Sequence, residues 1–177
     1  KVIRDVIDGY YEYPDDWKMN WFRIQEKWAE ENGCPDGVFS AFNIDAKINA
    51  AYIVIGLLYG KGDYGETIRI STLCGQDSDC NPASAAGILG TMLGYDQIPE
   101  YWKAGIPGIE KRHFKFTNLS LQDACDMSFK HASAVIDDHG GNSRKDPVTL
   151  VYQTPQAVRY ESCFKDHYPV EFLDTKK

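Results

Sequence analysis

The stretch Ala50–Tyr59 reads AAYIVIGLLY and is the longest apolar run in the chain. Its apolar residues cover every side of a helix rather than one stripe. A helix over about Asp45 to Tyr59 is therefore expected at the centre of a fold. The run is far short of the ~20 residues that cross a bilayer, so it reads as a core helix and not a membrane span.

Working outward, Gly60-Lys61-Gly62 ends this helix. Asp63 followed by Glu66 is a capping-box pattern and starts a helix through Ile68 and Ile70 to about Cys74. The loop Gly75-Gln76-Asp77-Ser78-Asp79-Cys80-Asn81-Pro82 comes next, with Asn81 expected as N-cap and Pro82 as first helical residue. The helix from Pro82 to about Leu93 is rich in small residues, with glycines at Gly87 and Gly90. Interior glycines cost roughly 1 kcal/mol each against alanine, which points to close backbone approach and a second buried helix. Pro99 starts a short helix through Tyr101 and Trp102, broken by Gly105-Ile106-Pro107-Gly108.

Upstream, residues 1–13 mix apolar and acidic side chains and read as the end of something that began earlier. Pro14 opens a helix in which Trp17, Trp21, Ile24 and Trp28 share one face, stopped at Gly33 and followed by the turn Cys34-Pro35-Asp36-Gly37. Such an aromatic stripe reads as core in preference to a platform for adenine. Downstream, Ser120 with Asp123 caps a helix to about His139, carrying Leu121, Ala124, Cys125, Ser128, Ala132 and Val135 on one stripe. Gly140-Gly141 ends it, and Val148–Tyr152 and Ala157–Cys163 alternate like two strands of a hairpin. The chain thus divides into a helical part, residues 1–109, and a small helix-plus-hairpin extension, residues 110–177.

The whole chain has 177 residues, with 19 Lys and Arg against 26 Asp and Glu and a formal charge of −7. That balance argues against a nucleic-acid wrapper or a reader of anionic membrane. The 43% hydrophobic and 13% aromatic content argues against disorder. Five scattered cysteines with no C-x-x-C make neither a disulfide scaffold nor a zinc site, and the four histidines form no H-E-x-x-H. Reduced thiols favour the cytoplasm; because the first residue is Lys1 and not Met, export stays open.

The chemistry concentrates in Asp77-Ser78-Asp79. Two carboxylates this close repel, and a divalent cation removes the repulsion. They also sit before a helix N-terminus, which favours negative charge. The alternative is that one Asp caps the helix while the other is solvated, and the spacing alone leaves both open. An EF-hand is excluded: with Asp77 as the first position, the sixth is Pro82 rather than Gly and the twelfth Ile88 rather than Glu. Cys80 as a nucleophile would need a histidine, and none is near in sequence. His131 falls mid-helix and reads as packing or surface. Gly75, Gln76 and Ser78 flank the acidic pair, and a glycine there lets a diphosphate approach the backbone.

The run over residues 50–102 resembles the second half of the ADP-ribosylglycohydrolases. It carries their buried helix, a G-D-x-x-x-T-I helix start, a G-x-D-S-D-C loop, a small-residue helix and I-P-x-x-W in order. The tail, NLSLQDACDMSFKHA and a hairpin ending near HYPV, looks like the C-terminal extension of certain bacterial members. The resemblance implies a mainly α fold, the C-terminal half of the all-α family fold, with a small α/β appendage. It also implies a binuclear Mg²⁺ site hydrolysing the glycosidic bond between ADP-ribose and a protein side chain or small acceptor. Carried over, Asp77 and Asp79 are metal ligands and Cys80 holds the place of a ligating threonine, although a thiol suits Mg²⁺ poorly. The family's remaining ligands, a Thr-Asp-Asp cluster and a further acidic residue, have no counterpart here. The expectation is a fragment, completed by an N-terminal half or a second chain and inactive alone. The partners expected are ADP-ribosylated proteins or small ADP-ribose conjugates. The rival reading is a member that only binds ADP-ribose or a partner. Asn43, Asp45 and Asn49 lie where the family carries cleft residues, but the local pattern differs and no role carries over.

Overall fold

A computed structural model describes residues 1–31 and 45–154. The expected turn at residues 34–37, Asn43 and the second expected strand, residues 157–163, lie outside them. Two compact units divide the chain, Lys1–Gly108 and Ile109–Lys177. Among the described residues all the regular elements are helical. No helix among them is long and apolar enough to cross a membrane.

Helix α1 (Val2–Glu12) occupies the stretch whose pattern showed only a mixture, and it buries Val2, Val6 and Gly9. Those three positions follow one helical face, a signal weakened by the acidic residues between them. Helix α2 (Trp17–Glu31) packs beside it. A Cβ on Gly9 would collide with the Asn20 side chain, so the glycine permits the close crossing, and Asn20 Nδ2 donates to the Val6 carbonyl at 2.9 Å. Asp5 ties the same pair, accepting from Trp28 Nε1 at 2.7 Å and pairing with Lys27 Nζ at 2.9 Å. The aromatic stripe of α2 is core: Ile24 and Trp28 are buried, and Trp17 and Trp21 pack against the same cluster.

Helix α3 (Ala46–Tyr59) is the centre of this unit, flanked by α1, α2, α4 and α5. Asp45 caps it by accepting from the backbone N–H groups of Lys47 and Ile48. Ile48, Ala51, Tyr52 and Ile55 are all but fully buried, and no residue from 48 to 60 is exposed. Helix α4 (Tyr64–Leu73) starts at Asp63, whose side chain accepts from Glu66 N at 2.7 Å. It crosses α3 closely: a Cβ on Gly56 would lie 2.7 Å from Ser71 Oγ, and one on Gly60 would fall on Thr67 Oγ1.

Helix α5 (Cys80–Leu93) corrects two expectations. It begins at Cys80, two residues before Pro82, so Asn81 is inside the first turn and not the N-cap. Proline tolerates this position because a first-turn N–H has no helical partner anyway. The helix is also not buried all round. Asn81, Pro82, Ala85, Leu89 and Gly90 face inward, while Ala83, Ser84, Gly87, Ile88, Thr91 and Met92 are exposed. Gly90 does answer to close packing, since a Cβ there would meet Ile98 at 3.2 Å, but a Cβ on Gly87 would meet nothing within 4 Å. A 3₁₀ turn, Tyr95–Gln97, and the short helix α6 (Glu100–Lys103) complete the first unit.

In the second unit helix α7 (Leu121–Asp138) has the expected capping box. Ser120 Oγ accepts from Asp123 N at 3.2 Å, and the Ser120 N–H donates to Asp123 Oδ2 at 2.8 Å. Of its expected stripe only Leu121 and Ala124 are half-buried, and Val135 is 58% exposed. The first expected hairpin strand contributes one isolated antiparallel bridge, Asn142 with Thr149, and no ladder among the described residues.

Candidate metal site

Helix α4 and helix α5 are joined by a loop held at both ends. At its start, Trp21 Nε1 donates to the Cys74 carbonyl at 2.8 Å. Cys74 itself is buried, and burial pushes its thiol up to about 12, so it is inert. Gly75 and Gln76 then both take left-handed backbone, with φ of +87° and +58°. Glycine is the residue that does this without strain, and the second left-handed residue turns the chain back towards α5. Ser78 N donates to Gln76 O at 2.9 Å, closing the turn. The Asp77 and Asp79 carbonyls accept from Asn81 N and Ala83 N, which makes both residues part of the entry to α5.

The far side of the loop is held by α3. Asn49 is buried, and its Oδ1 accepts from the Asp77 backbone N–H at 3.3 Å and from Asn81 Nδ2 at 2.8 Å. Its own Nδ2 donates to the Asp45 carbonyl at 3.1 Å. Asn81 is therefore spent on an interior bond instead of a cap. Asn49 had no role assigned from sequence, and Asn81 was expected only as the N-cap of α5. The available signal was an amide side chain at the inner end of an otherwise apolar helix, facing a second amide across the loop.

This frame brings Asp77, Asp79 and Cys80 together: one ligand atom from each lies within 4.8 Å of the others. Asp77 is half-buried, and Asp79 and Cys80 are exposed. Asp79 occupies the N-cap position but its side chain makes no capping bond. A hydrogen bond with Asp77, then the backbone N–H groups of Asp79 and Cys80, hold its carboxyl below the usual carboxylate range. The Cys80 thiol is held above its ordinary value, first by a hydrogen bond to Asp77 and then by the negative charge of Asp77 and Asp79. The set is thus two carboxyl groups and a thiol on an open face, a group of side chains able to hold a cation. Gly75, Gln76 and Ser78 are all half-buried along the same loop. Trp17 and Trp21, besides packing on the core, line an open groove of about 600 Å³ with Phe22 and Leu73.

Comparison with curated proteins and with solved structures finds no match. The family model for ADP-ribosylglycohydrolase matches residues 3–132, which takes in every helix of the first unit, the acidic loop and the first part of α7. With most of its length inside that match, the chain belongs to the ADP-ribosylglycohydrolase family.

Proposed function

We propose that the chain supplies one side of a Mg²⁺-dependent site that hydrolyses the glycosidic bond joining ADP-ribose to a protein side chain or a small acceptor. The observation that carries this reading is the convergence of Asp77, Asp79 and Cys80 within 4.8 Å, inside the stretch that matches a hydrolase family. The donor set fits Mg²⁺ through its oxygens. Mg²⁺ is hard, keeps several waters and is commonly held by one or two carboxylates, so Asp77 and Asp79 serve while the Cys80 sulfur does not. When bound, Mg²⁺ supplies an activated water and offsets charge developing in the reaction. Asp77 and Asp79 hold it at the entry of α5, and the left-handed turn at Gly75 and Gln76 leaves backbone open towards a diphosphate, with Ser78 beside it.

Two carboxylates suffice for one cation and not for a binuclear centre. The described residues bring only these two carboxyl groups together, and the reading assigns further oxygen ligands to a partner segment, either an N-terminal half or a second chain, without which this chain does not turn over substrate. A cytoplasmic setting belongs to the same proposal and rests on the sequence alone, whose five cysteines are scattered and form no C-x-x-C. The test is calorimetric titration with Mg²⁺ or Mn²⁺ beside an assay for ADP-ribose release from an ADP-ribosylated protein. Cation binding that is lost in Asp77→Asn and Asp79→Asn, without release by the chain alone, supports the reading. Release by the isolated chain, abolished by Asp77→Asn, removes the need for a partner. ADP-ribose binding with no cation dependence would replace hydrolysis by recognition.

A further inference from the structure

We infer that Asn49 is the positioning residue of the acidic loop: its side chain fixes the backbone from which Asp77 and Asp79 project. The inference rests on the cation-site reading for its consequence and on hydrogen bonds alone for its cause. Asn49 is buried on the central helix, and its Oδ1 takes two donors, the backbone N–H of Asp77 and the side-chain amide of Asn81. The first donor belongs to one of the two carboxylate residues. The second belongs to the residue that follows Cys80 in the opening turn of α5. One buried oxygen therefore couples the loop, the start of α5 and the core.

The remaining geometry makes this bond hard to replace. Gly75 and Gln76 are left-handed, and a loop with two such residues has no regular ladder to keep it in place. The Asp77 N–H is also tied to the central helix, in which no residue from 48 to 60 is exposed. Asn49 is set in turn by its own amide donating to the Asp45 carbonyl. None of these three bonds involves a carboxylate oxygen. Asn49 acts through the main chain, by fixing where the Asp77 side chain starts relative to that of Asp79. Residues that orient ligands in this way typically cost about 10–100-fold in metal affinity when lost.

The experiment uses the full chain with Asn49→Ala, and Asn49→Ser as a second variant whose shorter hydroxyl does not reach the loop. Ile55→Val is the control, a buried change on the same helix that does not touch the loop. Two readouts are taken: amide hydrogen exchange over residues 75–79, relative to α4, and affinity for Mn²⁺. The expected result is loop exchange faster by at least about tenfold and Mn²⁺ binding weaker by about 10–100-fold in both Asn49 variants. The control should move neither by more than about twofold, as distant sites act independently. Loop exchange unchanged in the Asn49 variants, or equally raised in Ile55→Val, overturns the inference and makes Asn49 one more packing residue. A wild-type chain that binds no Mn²⁺, while Asn49→Ala still loosens the loop, upholds the anchoring and defeats the cation reading instead.

Discussion

Helices α3 and α5 present the same surface to a reader of sequence. Each has 14 residues, each is mostly apolar or small, and each carries interior glycine. In the folded chain they differ. Helix α3 is enclosed by four other helices, and its Gly56 lies where any side chain would run into Ser71. Helix α5 is enclosed on one face, and its Gly87 looks into open space. The difference lies in which residues hold bulk. Ile48, Tyr52 and Ile55 follow one another on one side of α3, and Val54 and Leu58 on its flank pack against the same cluster, so several neighbours find something to bury. The outer side of α5 holds Ala83, Ser84 and Gly87, with bulk only at Ile88 and Met92, and offers little hydrophobic gain to a neighbour.

The comparison can be broken at its strongest point by Ile55→Ala. Ile55 has no exposure, so the truncation should cost about 2–5 kcal/mol in a denaturant titration. A loss near zero would mean that α3 is not the centre of the unit. Next is Gly56→Ala, where the added methyl meets Ser71 at 2.7 Å and the Thr67 carbonyl at 3.0 Å. Overpacking of this kind should cost about 1–3 kcal/mol despite the better helix propensity of alanine. The same change at Gly87 should have the opposite sign. Its Cβ meets nothing, so Gly87→Ala should stabilise by up to about 1 kcal/mol, read as a rise in melting temperature. A fall would show that something covers this face. The smallest effect is expected for Ile88→Ala, on the outer face of α5 at 47% exposure, which should stay within about 0.5 kcal/mol. A larger loss in that variant, growing with protein concentration, would identify the face as one that meets another chain.

Much of the frame was legible without coordinates. The all-round apolar run at residues 50–59 identified the central helix, and Asp45, Asp63 and Ser120 marked helix starts because side-chain caps act within three residues of themselves. The acidic loop was equally visible, since Gly75 opens it between two expected helices and Asp77 and Asp79 are two positions apart. Helix α1 was not, because its buried stripe is interrupted by Asp5 and Asp8 and becomes clear only when Asp5 is found bonded to Trp28 and Lys27.

The sequence by itself determined the helical segments after α1, which helix is central and which loop carries the carboxylates. Those properties depend on local backbone preference and on the periodicity of apolar residues along one segment. Tertiary structure alone decided that α5 is covered on one face, that Asn81 bonds inward instead of capping, and that Asn49 reaches across 28 residues to the Asp77 N–H. Each of these depends on what a distant helix presents at a given point. A buried amide is silent in a hydropathy pattern until the donor and acceptor that satisfy it are brought within hydrogen-bond distance.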